Sequence, residues 1–294
     1  MKPNNRLFSL SPALILSVLF VLSATSASAQ GQQEKSAIVF GAKILYVEAG
    51  DPAKPAVILL HGLGGNYTNW SFNIAALSQN YHVIALDQVG FGKSDRPMIK
   101  YRVGTYVDFL DKFMSEIKVD KATLVGNSLG GWISALTAIR YPNRVEKLVL
   151  ADAAGLKPSA VDLAQVYSLN YSTREEVRTL QKLVFYNSAL FASDAAVDQA
   201  MTMRVTADDG YTIGSLIESI RRDEDFLNGR LGEIKKPTLI IWGKQDGLIK
   251  LADGEQFKRE IAGSELVVFD QCGHVPMGEK AADFNRTVLA FLAK

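Results

Sequence analysis

The sequence predicts an α/β fold: a mostly parallel sheet flanked by helices and interrupted by a helical insertion. Three observations carry that prediction. Continuous apolar runs such as Ala56-Val57-Ile58-Leu59-Leu60 and Val83 to Leu86 have the composition of strands covered on both faces, as in parallel sheets. Segments with helical spacing alternate with these runs, giving the β-α-β order that such a sheet requires. The alternation then stops from Gly155 to about Glu233, where only helical periodicity is found, and resumes at Thr238.

Residues 1–29 stand apart from that pattern. Lys2 and Arg6 precede an apolar run from Ala13 to Leu22, and Ala27-Ser28-Ala29 is a small-residue cleavage signal. This reads as a secretory signal peptide cut near Ala29-Gln30, with the mature protein exported to the periplasm or beyond. The apolar run is shorter than the about 20 residues needed to span a bilayer, and no later stretch is apolar enough to do so. Without Lys2 and Arg6, the 32 basic and 31 acidic residues of the full chain become one more acidic than basic. Such a balance gives no electrostatic reason for a nucleic-acid partner. Cys272 is the only cysteine, so an exported chain of this kind relies on its core rather than on an intrachain disulfide.

From Gln30 onward the elements follow in order. Ile38 to Phe40 and Ile44 to Glu48 alternate around Gly41 as a hairpin does. The strand at 56–60 opens into His61-Gly62-Leu63-Gly64-Gly65, followed by a helix from Trp70 to Ser78. The strand ending at Leu86 leads into Asp87-Gln88-Val89-Gly90-Phe91-Gly92-Lys93-Ser94-Asp95. Apolar spacing predicts a helix over 105–117, then a strand up to Gly126, a helix from Trp132 to Arg140, and a strand from Lys147 to Leu150. Helices are predicted at 173–186, 195–203 and 212–222 within an insertion at 156–233. Most of its large apolar groups (Tyr167, Tyr171, Phe185, Tyr186, Phe191, Met201 and Met203) are expected to pack on one another, and a minority to face a pocket. The core, 30–155 and 234–294, closes with strands at 238–242 and 266–269 and helices at 252–261 and 281–292.

The chemistry centres on Gly126-Asn127-Ser128-Leu129-Gly130. A strand that turns this abruptly into a helix strains the residue at the bend and pushes its side chain outward. Glycines flank it because a Cβ there would collide with the neighbouring elements. The N–H of Leu129 then lies at a helix N-terminus, where a developing oxyanion is stabilised. A serine nucleophile needs a base. His82 lies in a strand and His61 braces the glycine loop, whereas His274 follows the last strand in a Gly- and Pro-bearing loop. Asp246 follows the strand before it, between Gly243 and Gly247. All three groups fall at the carboxyl ends of predicted strands, where open α/β sheets bind ligands, and in the order Ser, Asp, His.

On these residues the chain resembles a serine hydrolase of the α/β-hydrolase superfamily. The similar motifs are H-G-x-G-G at 61–65, D-x-x-G-x-G-x-S-D at 87–95, G-N-S-L-G-G at 126–131, P-T-L-I-I-W-G-x-x-D at 237–246 and G-H at 273–274, most like those of bacterial esterases and lipases. The resemblance implies Ser128 as nucleophile, His274 as base, Asp246 as its acid, the N–H groups of Leu63 and Leu129 as oxyanion hole, and the insertion as a lid. It also leaves Asp152 as an alternative acid, since some superfamily members take theirs from the preceding strand. The implied activity is hydrolysis of small carboxylic esters of short to medium acyl chain.

Dehalogenase and epoxide-hydrolase relatives use a carboxylate nucleophile, which Ser128 argues against. Carbon–carbon bond hydrolases of vinylogous diketones share G-N-S, the 87–95 loop and C-G-H. They differ in a glycine-proline insertion in the oxyanion loop and in a Trp where this chain has Val275. A binding receptor on the same fold is a further alternative. No histidine or cysteine cluster has metal-ligand spacing and no phosphate-cradling motif is present, so neither metal nor cofactor is expected.

Overall fold

A computed structural model describes residues 32–159 and 165–294. The signal-peptide reading of residues 1–29, with its cleavage point near Ala29-Gln30, lies outside the described residues, as do positions 160–164 of the insertion.

Eight strands form one sheet: β1 (Gln33–Val39), β2 (Ala42–Ala49), β3 (Ala56–Leu60), β4 (His82–Leu86), β5 (Ala122–Asn127), β6 (Val145–Ala151), β7 (Thr238–Gly243) and β8 (Glu265–Phe269). Their spatial order is β1-β2-β4-β3-β5-β6-β7-β8. β2 pairs antiparallel with both β1 and β4, and every later pairing is parallel. The apolar runs explain the centre of the sheet. Ile58, Leu60, Ile84, Leu124 and Ile240 pack in one core cluster, and Val57, Leu59, Val83, Val125 and Leu239 in another. Alternate residues thus serve opposite faces of the sheet, and both faces are buried. Leu59 is fully buried, and truncating such a side chain to Ala costs about 2–5 kcal/mol.

Helices α1 (Ser71–Ser78), α2 (Val103–Glu116) and α3 (Leu129–Arg140) connect the first strands. Between β6 and β7 the described chain holds helices and no strand: helical residues at 165–168, then α4 (Arg174–Val184), α5 (Ser188–Phe191), α6 (Asp194–Ala207) and α7 (Gly210–Arg221). α8 (Leu251–Glu260), α9 (Pro276–Glu279) and α10 (Ala281–Leu292) complete the molecule. No helix among the described residues is long and apolar enough to cross a membrane.

Among the differences from expectation, three have a tertiary reason. α3 begins at Leu129, directly after Ser128, because Gly130 and Gly131 lie inside it against the end of β3 and against Ala153, just past β6. A Cβ on Gly130 would sit 2.1 Å from the Leu60 carbonyl, so only glycine permits that approach. α4 stops at Val184, two residues short of Tyr186, since its last carbonyls are claimed by loops of the core. The short α9 follows His274 where no helix was foreseen, started by Pro276 at its first turn.

Candidate active site

The bend at Ser128 is visible in its backbone, with φ 54° and ψ −117°, a conformation that strains any side-chain-bearing residue. Its neighbours hold it there. Ser128 N–H donates to Ala151 O at 3.0 Å, and Ser128 O accepts from Trp132 N and Ala154 N, both at 3.1 Å. Asn127 Nδ2 donates to Ala151 O at 3.2 Å and to His274 O at 3.0 Å, tying the serine strand to the histidine loop.

His274 and Asp246 meet directly. His274 Nδ1 lies 2.7 Å from Asp246 Oδ2, and both residues are 95% buried. Asp246 Oδ1 accepts from Leu248 N at 2.8 Å and Ile249 N at 3.0 Å, so the turn after β7 fixes the carboxylate from its other side. A carboxylate in this position requires the proton on Nδ1, leaving Nε2 as the basic nitrogen of the ring.

Asp152, the alternative acid, is fully buried beside this pair. One carboxylate oxygen from each aspartate and a ring nitrogen of His274 lie within 4.8 Å of one another. Asp152 Oδ1 accepts from Gly243 N at 2.9 Å, and its carboxyl also interacts with the Asp246 side chain. Burial, reinforced by the charge of Asp246, pushes the Asp152 carboxyl well above the usual carboxylate range. That shift favours the protonated form of Asp152, whose Oδ1 accepts from the turn that carries Asp246, and Asp246 rather than Asp152 has the hydrogen bond to His274. Although these three residues are ligand types, the 2.7 Å contact is a direct hydrogen bond, which leaves no space for an ion between its two atoms.

His61 supports the glycine loop. Its Nε2 accepts from Gln88 N at 3.0 Å and its Nδ1 lies 2.7 Å from Gly62 O, so the ring is neutral with the proton on Nδ1. Burial holds its imidazole below the usual range. Gln88 Nε2 also donates to His61 O at 2.8 Å. His82, by contrast, pairs with Glu48 across β4 and β2, away from these loops.

Ser128, Leu63 and Leu129 line one cavity of about 310 Å³. Trp132 and Phe226 stack in its wall with ring centroids 5.1 Å apart. Leu156, Val166, Leu169, Leu216, Ile217 and Ile220 supply most of the remaining apolar surface, while Lys157, Lys250 and Asp253 are the charged groups among the lining residues. None of the seven aromatic and methionine side chains singled out in the insertion lines it. Phe185 and Phe191 stack on each other at 3.7 Å, Tyr171 and Met201 pack on Val177 and Val197, and Tyr167, Tyr186 and Met203 are exposed. The α7 aliphatics Leu216, Ile217 and Ile220 line it instead.

Two supporting residues had no sequence signal of their own: Gln88, at a variable position inside the 87–95 motif, and Glu279, whose carboxylate meets the His274 loop. The second lies six positions after Gly273 on α9, a helix that local periodicity does not announce.

Residues 55–281 match the family described as alpha/beta hydrolase fold. The chain is 33% identical over 263 residues to the 2-hydroxy-6-oxo-2,4-heptadienoate hydrolase of Pseudomonas putida, covering 84% of this chain and 91% of that relative. Among solved structures it resembles a bacterial membrane phospholipase A, with 30% identity, a TM-score of 0.78, and coverage of 90% of this chain and 87% of the other. A meta-cleavage product hydrolase from Pseudomonas fluorescens gives the same TM-score of 0.78 at 30% identity, covering 88% and 97%. The matched segment holds the sheet from β3 onward together with Ser128, Asp246 and His274, and this chain belongs to the alpha/beta hydrolase fold family.

Proposed function

We propose that this hydrolase cleaves carboxylic esters of short to medium acyl chain through an acyl-serine intermediate. Ser128 Oγ attacks the ester carbonyl while His274 Nε2 takes its proton. Asp246 holds the imidazole tautomer and stabilises the imidazolium. The N–H groups of Leu63 and Leu129 receive the oxyanion. Collapse breaks the bond to the leaving alcohol, which departs with the proton from His274. Water then repeats the sequence on the acyl-serine, releasing the acid and restoring Ser128. The observation that carries this reading is the opening of the strained Ser128 bend into an apolar cavity, with the His274–Asp246 hydrogen bond nearby. The helical segment 156–233 serves as the cap of that cavity, and residues 1–29 direct export. N-terminal sequencing of exported protein tests the cleavage point.

A second reading, hydrolysis of a carbon–carbon bond in a vinylogous diketone, draws support from the relatives named as oxo-dienoate and meta-cleavage product hydrolases. Aryl esters of graded acyl length, assayed beside a dienoate diketone, separate the two. Preferred turnover of the esters, with a serine-directed organophosphonate labelling Ser128 and EDTA without effect, is the expected result. Preferred turnover of the diketone moves the assignment to the second reading, and EDTA inhibition reversed by zinc removes the metal-free mechanism.

A further inference from the structure

The helical segment before Asn187 is bonded to both loops of the His274–Asp246 pair. The final carbonyls of a helix have no partner within it, and at the end of α4 the core supplies them. Leu183 O accepts from Gly247 N at 2.9 Å, next to Asp246, and Val184 O accepts from His274 N itself at 2.7 Å. The approach is close enough that a Cβ on Gly273 would lie 2.2 Å from Val184 O and 2.9 Å from Tyr186 N. Glu279 completes the junction. Its Oε1 accepts from Gly273 N at 2.9 Å and its Oε2 from Tyr186 N at 2.8 Å. One carboxylate thus bridges the chain leaving α4 and the loop carrying His274.

We infer that Glu279 is a positioning residue: by clasping the chain after α4 to the His274 loop, it holds the imidazole in register with Asp246, so that seating of the inserted helices and assembly of the base are one event. This rests on the proposed role of His274 as base, but not on the identity of the substrate. A charged acceptor suits the task, because bonds from N–H to carboxylate are stronger than bonds to a neutral oxygen and two oxygens can serve separate strands. The surroundings make its charge costly. Burial, with the nearby charge of Asp246, holds the Glu279 carboxyl above its usual range, while N–H groups of Tyr186, Gly273 and Val275 oppose that rise. Cys272 and Asp152 also face it, the first a buried thiol whose ionisation burial suppresses, the second neutral. Protonation of Glu279 removes an acceptor and loosens the clasp, so the fall of kcat at low pH should include one proton taken up by Glu279.

The test uses Glu279→Gln, which keeps the shape and loses the charge, in the full-length protein. The rate of organophosphonate labelling at Ser128 and kcat for a short ester should fall about tenfold, the worth of one charge-assisted hydrogen bond, with KM little changed. The acid limb should become shallower by the one proton that Glu279 contributes, and the downfield proton of His274 Nδ1–H in the NMR spectrum should broaden through exchange. Tyr186→Pro deletes the other donor without touching the carboxylate. Phe185, at φ −105° and ψ 136°, already has the extended backbone that precedes proline. This variant should reproduce the loss, and the double variant should be no worse than either single one. An unchanged labelling rate, acid limb and resonance in folded Glu279→Gln would overturn the inference. If Glu279→Gln does not fold, Tyr186→Pro decides by the same readings. If the wild type itself resists labelling, the ester reading has failed, and the His274 proton resonance still decides the role of Glu279.

Discussion

Asp152 and Asp246 lie side by side in the floor of the site, yet only Asp246 is hydrogen-bonded to His274. Two carboxyls this close in a buried setting do not both ionise, because the second charge would face both desolvation and repulsion. The hydrogen bonds decide which one carries the charge. Asp246 receives two backbone N–H groups and the imidazole, whereas Asp152 receives a single backbone N–H.

The first prediction follows from that asymmetry. Asp246→Asn should lower kcat by about 10⁴, as loss of the acid does in the serine-protease triad, because the amide cannot fix the correct tautomer or stabilise the imidazolium. Asp152→Asn should leave kcat close to wild type, since an amide mimics a neutral carboxyl and can still accept from Gly243 N. Measuring kcat for both, after circular dichroism establishes folding, decides the matter. An active Asp246→Asn beside an inactive Asp152→Asn would reverse the roles.

A second prediction concerns stability against pH. The folded pKa of Asp152 is raised, so the folded protein holds this proton more tightly than the unfolded chain does. The associated stability is complete below the ordinary aspartate value of about 3.9 and is lost as pH rises towards the raised folded value. Asp152→Asn has no such proton to lose. The difference in unfolding free energy, variant minus wild type, should therefore increase with pH above about 4, by up to about 1.4 kcal/mol per pH unit within the window. Denaturation series from acid to mildly alkaline pH give that difference directly, and a flat one would show that Asp152 is not a buried neutral acid.

The contrast between these aspartates also shows what the sequence carries. Strands β3, β4, β5 and β7 were legible because burial on both faces leaves an unbroken apolar run, and Leu63, Ser128 and Asp246 sit just beyond such runs. What lay beyond reach depends on contacts far along the chain. No pattern around Asp152 reveals that it lies against Asp246, and nothing local ends α4 at Val184, where Gly247 and His274 supply the donors. The insertion illustrates the same limit. Its aromatic residues drew attention by size, but the cavity is lined by α7 aliphatics whose direction is fixed only by how that helix docks.

The cavity itself supports a third prediction. Each acyl methylene buried against Leu216, Ile217 and Ile220 should contribute up to about 0.8 kcal/mol until the space is filled. The value of kcat/KM should then climb from acetate through butyrate and level off. Ile220→Trp should shorten the chain length at which levelling occurs. A profile that is flat across acetate, butyrate and octanoate esters would leave the apolar cavity without a role in acyl binding.

The strain at Ser128 yields the last prediction. Its φ of 54° with ψ of −117° lies outside the regions open to side-chain-bearing residues, at a cost of about 1–3 kcal/mol. The bend persists because the strand at Ala151, the turn at Ala154 and the first turn of α3 all bond to its backbone. Ser128→Ala keeps the Cβ and so keeps the strain, and should unfold near the wild-type denaturant concentration. Ser128→Gly removes the strain but adds freedom to the unfolded chain, which ordinarily costs about 0.5–1 kcal/mol relative to alanine. Relief should outweigh that cost, leaving the glycine variant about 1 kcal/mol more stable than the alanine variant, the reverse of the usual order. Both should be inactive, so stability and activity would be opposed at this one position. Urea denaturation of the three proteins, compared at equal slopes, reads the order, and a glycine variant less stable than the alanine variant would mean that the bend stores no strain.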